Sequence, residues 1–186
     1  MWSGAYTVMT KTMRSVIIAD AGPLIHLDEL GCLDVLTYYP EVLLPEAVWQ
    51  EVMQHRPQAL QHSLVNFKQQ QSKVISLQVE ALVPLYTLHK GEREALMLCV
   101  QFSDCMLLTD DTAARLAAKS LNIKARGTLG LLLQSIRHGL RTYHEVLAVL
   151  AAIPSQSTLH VRPALLAEVI EQVRAEAKKA TQPPLI

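Results

Sequence analysis

Apolar positions along this chain recur with two periods, one suited to buried strands and one to helices. Val16 to Ala19 is an unbroken, largely β-branched run, the pattern of a central strand buried on both faces of a parallel sheet, and Asp20 ends it. Ala21-Gly22-Pro23 follows, with a glycine for the tight turn and a proline suited to the first helical position, so a short helix is predicted to about Leu30, stopping at Gly31. Val42 to Leu44 reads as a second strand, and Pro45-Glu46 opens a helix that carries Trp49 and runs to about Gln54. Arg56 to Gln71 is rich in Gln and His and weakly patterned, and is assigned as helix; Val74 to Leu77 reads as a third strand.

Gly91 introduces a helix from Glu92 to about Phe102 that is apolar around most of its circumference and so is expected to pack deeply. Met106 to Leu108 is the next buried strand and ends in Thr109-Asp110-Asp111. Ala113, Leu116, Ala117 and Leu121 then mark one face of a helix, Ile123 to Ala125 a last strand, and Leu129 to Ile136 a helix ending near Gly139. Two more helices, from about Tyr143 to Ala152 and from Pro163 to about Lys179, complete the pattern. Strands alternating with helices in this way predict an α/β fold of three layers, α/β/α, around a mostly parallel central sheet with right-handed crossovers.

The chain of 186 residues is long enough for one domain with a continuous core. It divides into an N-terminal extension over 1–15, a single domain over 16–179 and a disordered tail over 180–186. Regular structure begins at Val16, which makes Met13 a candidate start. Half of the residues are hydrophobic and 18% are charged, a balance that excludes a disordered chain. The longest apolar run, Val146 to Ile153, is far shorter than the roughly 20 residues that cross a bilayer, and the first fifteen residues lack the apolar stretch of a signal peptide. Cys32, Cys99 and Cys105 have no C-x-x-C spacing and lie in apolar neighbourhoods, as expected for small hydrophobes in a reducing, cytoplasmic setting.

Seventeen acidic and seventeen basic side chains give no net field that would announce a polyanionic partner. Their distribution is uneven. Between Asp111 and Glu145 there is no acidic residue, while Arg115, Lys119, Lys124, Arg126, Arg137 and Arg141 all fall there. That stretch is a candidate phosphate-facing surface, with ordinary solvated helix faces as the competing explanation. The seven histidines show no H-x-x-x-H or H-E-x-x-H spacing, which argues against zinc. Gly127-Thr128-Leu129-Gly130 lacks the lysine and length of a P-loop, and Trp49 and Tyr38-Tyr39 are expected in the core beside the second strand rather than as base-stacking platforms.

The chemistry lies in the carboxylates. In an open parallel sheet, reactive groups collect at the carboxyl ends of the strands, where the loops diverge, and Asp20, Asp110 and Asp111 occupy such ends. Several converging carboxylates are costly unless a hard divalent cation neutralises them, and Mg²⁺ or Mn²⁺ suits such a set. Glu92 and Glu94 fall in the first turn after Gly91, where the helix dipole alone stabilises an acidic residue by about 0.3–1 kcal/mol. Capping of the following helix is the corresponding structural role for each aspartate. Periodicity does not choose between Glu92 and Glu94, although a helical wheel sets Glu92 slightly nearer the apolar face.

Val16-Ile17-Ile18-Ala19-Asp20-Ala21-Gly22-Pro23-Leu24-Ile25, then Gly91-Glu92-Arg93-Glu94-Ala95-Leu96, then Leu107-Leu108-Thr109-Asp110-Asp111, and finally Gly127-Thr128-Leu129-Gly130 resemble, in order, the motifs of PIN-like proteins. The resemblance extends from about Val16 to Val173 and is strongest to a prokaryotic branch related to VapC-type toxin ribonucleases. It implies a PIN-like fold and a metal-dependent endoribonuclease using Mg²⁺ or Mn²⁺. Carried over by position, it makes Asp20, Glu94 and Asp111 metal ligands, adds Asp110 as a supporting catalytic carboxylate, and gives Thr109 and Thr128 an orienting role. Arg115, Lys119 and Arg126 would then attract the backbone of single-stranded or looped RNA, and a small antitoxin protein would be the protein partner. The apolar C-terminal helices allow a homodimer. One departure stands out: many PIN domains carry Ser or Thr within two residues of the first aspartate, where this chain has Ala21 and Gly22. It favours a rival reading, a scaffold that keeps the fold and acts by binding rather than cutting. A receiver-like phosphotransfer domain fits less well, because it wants its acidic pair after the first strand, where Asp20 stands alone.

Overall fold

The computed structural model describes residues 16–181. Five strands, β1 (Val16–Ala19), β2 (Val42–Leu44), β3 (Phe67–Gln69), β4 (Cys105–Leu108) and β5 (Lys124–Arg126), form one sheet in the order β3-β2-β1-β4-β5, and every pairing is parallel. Eight α-helices accompany them: α1 (Ala21–Glu29), α2 (Glu46–His55), α3 (Leu77–Tyr86), α4 (Lys90–Cys99), α5 (Thr112–Ser120), α6 (Thr128–Arg137), α7 (Tyr143–Gln156) and α8 (Pro163–Thr181). Short 3₁₀ helices cover Leu33–Tyr38 and Pro57–Gln61.

The alternation of side chains along each strand divides the core in two. Ile17 and Ala19 of β1, Val42 and Leu44 of β2, and Leu108 of β4 face one way, packing with Leu24, Val48, Leu132, Leu150 and Val173 from α1, α2, α6, α7 and α8. Ile18, Leu43 and Leu107 face the other way, against Val79, the Ala95–Cys99 turn and Ala114, Ala117 and Ala118 from α3, α4 and α5. The sheet therefore sits between two helical layers, as its β-branched runs predict. Cys32, Cys99 and Cys105 are buried and free, and Tyr38, Tyr39 and Trp49 belong to the first cluster. Among the described residues no helix is long and apolar enough to cross a membrane.

Sequence patterning misplaces one region. Val74 to Leu77 is not a strand: Val74 and Ile75 are exposed, and Leu77 begins α3. The third strand is Phe67–Gln69, within the segment assigned as helix, and it contributes a single apolar side chain. An edge strand needs backbone pairing on one side only, here Val42↔Phe67 through Leu44↔Gln69, so two-sided burial leaves no mark on its sequence. Helix α3 is masked by Pro84 in its last turn. At the carboxyl end of the domain α7 continues through Pro154 to Gln156, and α8 reaches Thr181, two residues into the expected tail. The rest of that tail and the expected extension over 1–15 lie outside the described residues.

The chain moves outward from β1 to β2 and β3, then returns to lay β4 on the other side of β1. The β1/β4 boundary is thus the point where winding reverses, and at the carboxyl ends of these two strands the departing loops part to leave a crevice. Ile18 lies in the central strand with no exposed surface. Its replacement by alanine is expected to lower unfolding free energy by about 2–5 kcal/mol without moving the strand pairing, measured by urea denaturation monitored by far-UV circular dichroism.

Candidate active site

Two backbone hydrogen bonds set the floor of the crevice. The Ala19↔Leu108 register of β1 and β4 is extended by Asp20 N–H donating to Leu108 O at 2.8 Å, and β4 is tied to β5 by Thr109 N–H donating to Arg126 O at 2.9 Å. Asp20 and Thr109 therefore lie side by side. Asp20 is only 8% exposed; its Oδ1 accepts from Ala21 N–H at 2.9 Å, capping α1, and its Oδ2 accepts from the buried Thr109 hydroxyl at 3.0 Å. Burial pushes the Asp20 carboxyl up to about 6, with Glu92 and Glu51 adding to the rise while the Ala21 and Thr109 hydrogen bonds oppose it.

Asp110, one residue beyond Thr109, joins three elements. Its Oδ1 accepts from Thr128 N–H at 2.7 Å, and its Oδ2 accepts from the Thr128 hydroxyl at 2.6 Å and from His26 Nδ1 at 2.8 Å. A carboxylate only accepts, so the proton of this last bond sits on His26 Nδ1. Close approach to α6 depends on Gly127, where an added Cβ would fall 2.5 Å from Asp110 Oδ1. Asp111 caps α5 through Oδ1, accepting from Ala114 N–H at 2.7 Å, while its own N–H donates to the Thr109 hydroxyl at 3.2 Å. Thr109 and Thr128 thus orient Asp20 and Asp110 directly.

These residues open onto a cleft of about 520 Å³ lined by Asp20, Gly22, His26, Glu51, His89, Gly91, Glu92, Asp110, Asp111 and the segment Thr158-Leu159-His160. Glu92 reaches it from α4, its Oε2 accepting from His89 N–H at 2.7 Å in a capping box. Glu94 does not line it. Its Oε2 accepts from Ala47 N–H at 2.8 Å, satisfying the first turn of α2, and it borders a separate cleft of about 410 Å³ with Pro45, Glu46, Arg93 and Met97. Two residues along a helix turn the side chain by roughly 200°, so one of this pair must face away from whatever the other faces. The geometry puts Glu92 where the motif carry-over puts Glu94.

Glu51, absent from the sequence-derived set, lies in the cleft. A Cβ built on Gly91 would stand 3.5 Å from Asp20 Oδ1 and 3.6 Å from Glu51 Oε2, so the bare glycine holds open a space flanked by both carboxylates. No local signal marks Glu51: it is exposed on α2 beside the buried Val48 and Val52, and reads in sequence as an ordinary solvated helix position. His26, His89 and His160 were missed for a similar reason, since tertiary convergence rather than local spacing brings them to one cleft. Gly22, the position of the missing hydroxyl, lies beside His26 and Asp110, with His26 Cε1 3.6 Å from an added Cβ. His26 gives Asp110 a donor from that side.

The basic stretch does not form one surface. Lys124 pairs with Asp104 at 3.6 Å before β4, at the amino end of the sheet, and Arg141 pairs with Asp34. Arg126 donates to Gln134 through Nη1. Arg115 and Lys119 are exposed on α5, with Arg115 N–H bonded to Asp111 O at 3.1 Å, one turn from the site. None of the three predicted RNA contacts lines the cleft.

The donors suit a hard divalent cation: all are carboxylate oxygens, and Asp20 spends two of its roughly four acceptor positions on hydrogen bonds. Among the described residues no three His, Cys, Asp or Glu side chains are closed to metal-ligand distance.

The fold is an α/β domain of three layers with an acidic crevice at the switch point of a wholly parallel sheet. A family model described as a PIN domain matches residues 16–175, and the chain belongs to that family. PIN domains generally bind nucleic acids. No curated protein matches the chain.

Because the folded pKa of Asp20 lies above its ordinary value of 3.8, the folded protein holds this proton more tightly than the unfolded chain does. The associated stabilisation is complete below about pH 4 and is lost as pH rises toward 6, on the order of 2–3 kcal/mol in all. In metal-free buffer, Asp20→Asn is therefore expected to be more stable than wild type at pH 7, with the advantage shrinking to nothing near pH 4. Paired urea titrations across that range measure it, and an advantage independent of pH would contradict the assignment.

Proposed function

We propose that the protein is a metal-dependent ribonuclease that hydrolyses phosphodiester bonds of single-stranded or looped RNA, with Mg²⁺ or Mn²⁺ held by Asp20, Glu51 and Glu92 and by the outer lone pairs of Asp110 and Asp111. The observation that carries this reading is the meeting of carboxylates from β1, α2, α4 and β4 around one cleft in a PIN domain. When bound, such a cation lowers the pKa of a water and offsets charge on the phosphate and the leaving oxygen. Asp20 supplies the deepest carboxylate, already oriented by Ala21 and Thr109. Glu51 and Glu92, reaching the cleft from α2 and α4, would complete the ligand set. Asp110 holds the strand end against α6 and α1 while leaving its remaining acceptor capacity toward the cleft.

Of Arg115, Lys119 and Arg126, Arg115 lies nearest the Asp111 cap along the chain and is the one assigned to attract a phosphate backbone toward the cleft. A toxin role, with a small antitoxin covering the cleft, follows from the VapC-type resemblance and is tested by co-purification with the product of a neighbouring gene.

Mn²⁺-dependent cleavage of an RNA panel tests the reading. Asp20→Asn, Glu51→Gln and Glu92→Gln are each expected to lower the rate by at least ~100-fold, above the range typical of residues that only orient ligands. Glu94→Ala is expected to keep the rate and to lose stability, since it removes the acceptor for Ala47 N–H and unties the α2 terminus. Equal cleavage by wild type and Asp20→Asn would overturn the proposal. RNA binding without cleavage by wild type would favour the scaffold reading instead.

A further inference from the structure

The connection between α7 and α8 is only six residues long, yet it is fastened to the domain twice. Glu29, the last residue of α1, accepts from the Ser157 hydroxyl at 2.9 Å, from Thr158 N–H at 2.7 Å and from the Thr158 hydroxyl at 3.0 Å. Partial desolvation works against ionising Glu29, but these hydrogen bonds outweigh it and hold the carboxyl below its usual range. Leu159, the next residue, is buried in the first core cluster, and its N–H donates to Ser157 Oγ at 3.1 Å. A polar clamp followed at once by an apolar anchor fixes the backbone on both sides of Thr158 and leaves His160 exposed on the lining of the acidic cleft.

The lining contains five carboxylates and neither Lys nor Arg. A phosphate oxygen entering it therefore meets side-chain donors only from the imidazoles, because the Thr158 hydroxyl spends its proton on Glu29. Two of the imidazoles are engaged: His26 donates to Asp110, and His89 Nδ1 lies 3.6 Å from Glu92 Oε2. His160 has no hydrogen-bond partner among the described residues, so its ring nitrogens are open to a ligand, and the clamp fixes the backbone that carries it.

We infer that Glu29 clamps the α7–α8 connection so that His160 donates a hydrogen bond to a backbone phosphate of the RNA, making this connection a substrate-binding wall of the cleft. The inference rests on the ribonuclease reading for its ligand, but not on the metal ligands for its geometry. His160 is a binding residue and Glu29 a positioning residue.

The test uses the full chain and a short fluorescein-labelled single-stranded RNA of mixed sequence. Anisotropy is measured in Ca²⁺ while a gel shows the RNA intact, and cleavage kinetics are measured in Mn²⁺. His160→Ala is expected to raise Kd and KM about tenfold, the loss of one hydrogen bond to a charged group, with kcat and melting temperature unchanged. Glu29→Ala is expected to raise KM to a similar extent. Glu29→Gln is expected to restore it, because an amide oxygen can accept from Thr158 N–H while the amide nitrogen donates to the Thr158 hydroxyl. Wild-type RNA affinity in His160→Ala, or Glu29→Gln behaving like Glu29→Ala, overturns the inference. If wild type cleaves and His160→Ala matches it, this inference alone falls. If wild type binds the RNA through His160 but Mn²⁺ supports no cleavage, the metal-dependent reading alone falls, and absence of RNA binding by wild type ends both.

Discussion

The pairing of β1 with β4 is the constraint on which the site depends. Their register runs from Val16↔Cys105 to Ala19↔Leu108, and the next ladder bond, from Asp20 N–H to Leu108 O, carries the pairing one residue past β1. A parallel ladder repeats at fixed intervals, so this register alone decides that Asp20 lies beside Thr109 and that Asp110 emerges at the same level. A slip of one residue would turn Asp20 into a helical layer and bring Ala19 to the crevice. Two-sided burial of Ile17, Ile18, Leu107 and Leu108 opposes such a slip, since each would exchange one packed face for the other.

Depth is what this register imposes on Asp20. A carboxylate with so little exposure, facing Glu51 and Glu92, is poorly placed for stability, and its raised pKa records that cost. Stabilising contacts around it, from Ala21 and Thr109, reduce the penalty without removing it. Such local frustration in an otherwise well-packed domain is characteristic of sites retained for what they bind. On the proposed reading a divalent cation would relieve it, because one charge centre can satisfy several carboxylates at once.

The remaining acidic residues divide by how much of their hydrogen-bonding capacity the fold has used. Asp110 is a joint between β4, α6 and α1; Asp111 and Glu94 secure helix termini; Glu92 shares itself between a capping box and the cleft. Glu51 has no hydrogen-bond partner among the described residues and projects from α2 into the cleft. Acidic residues at element ends in this fold thus have two functions, closing orphaned N–H groups and lining a polar hollow, and the same aspartate or glutamate can serve both. Clamping of the α7–α8 connection by Glu29 extends this division of labour to the far end of α1.

Strand-end aspartates, the strand-helix rhythm and the buried β-branched runs are legible in the sequence, because burial on both faces of a parallel sheet demands continuous apolar runs and leaves chemistry only at their ends. Phe67–Gln69 was not legible: an edge strand is defined by backbone pairing, and its side chains carry no burial pattern. Nor could spacing along one helix settle Glu92 against Glu94, since the choice depends on which side of α4 meets Asp20 and which meets the start of α2. Glu51, His26 and His160 come from α2, α1 and the α7–α8 connection respectively, and only packing makes them neighbours. Short-range periodicity encodes the layers, the sheet's parallel character and the carboxylates at the ends of β1 and β4. Tertiary structure alone decided which other side chains face them, because that depends on helix rotation and loop anchoring, which no local pattern encodes.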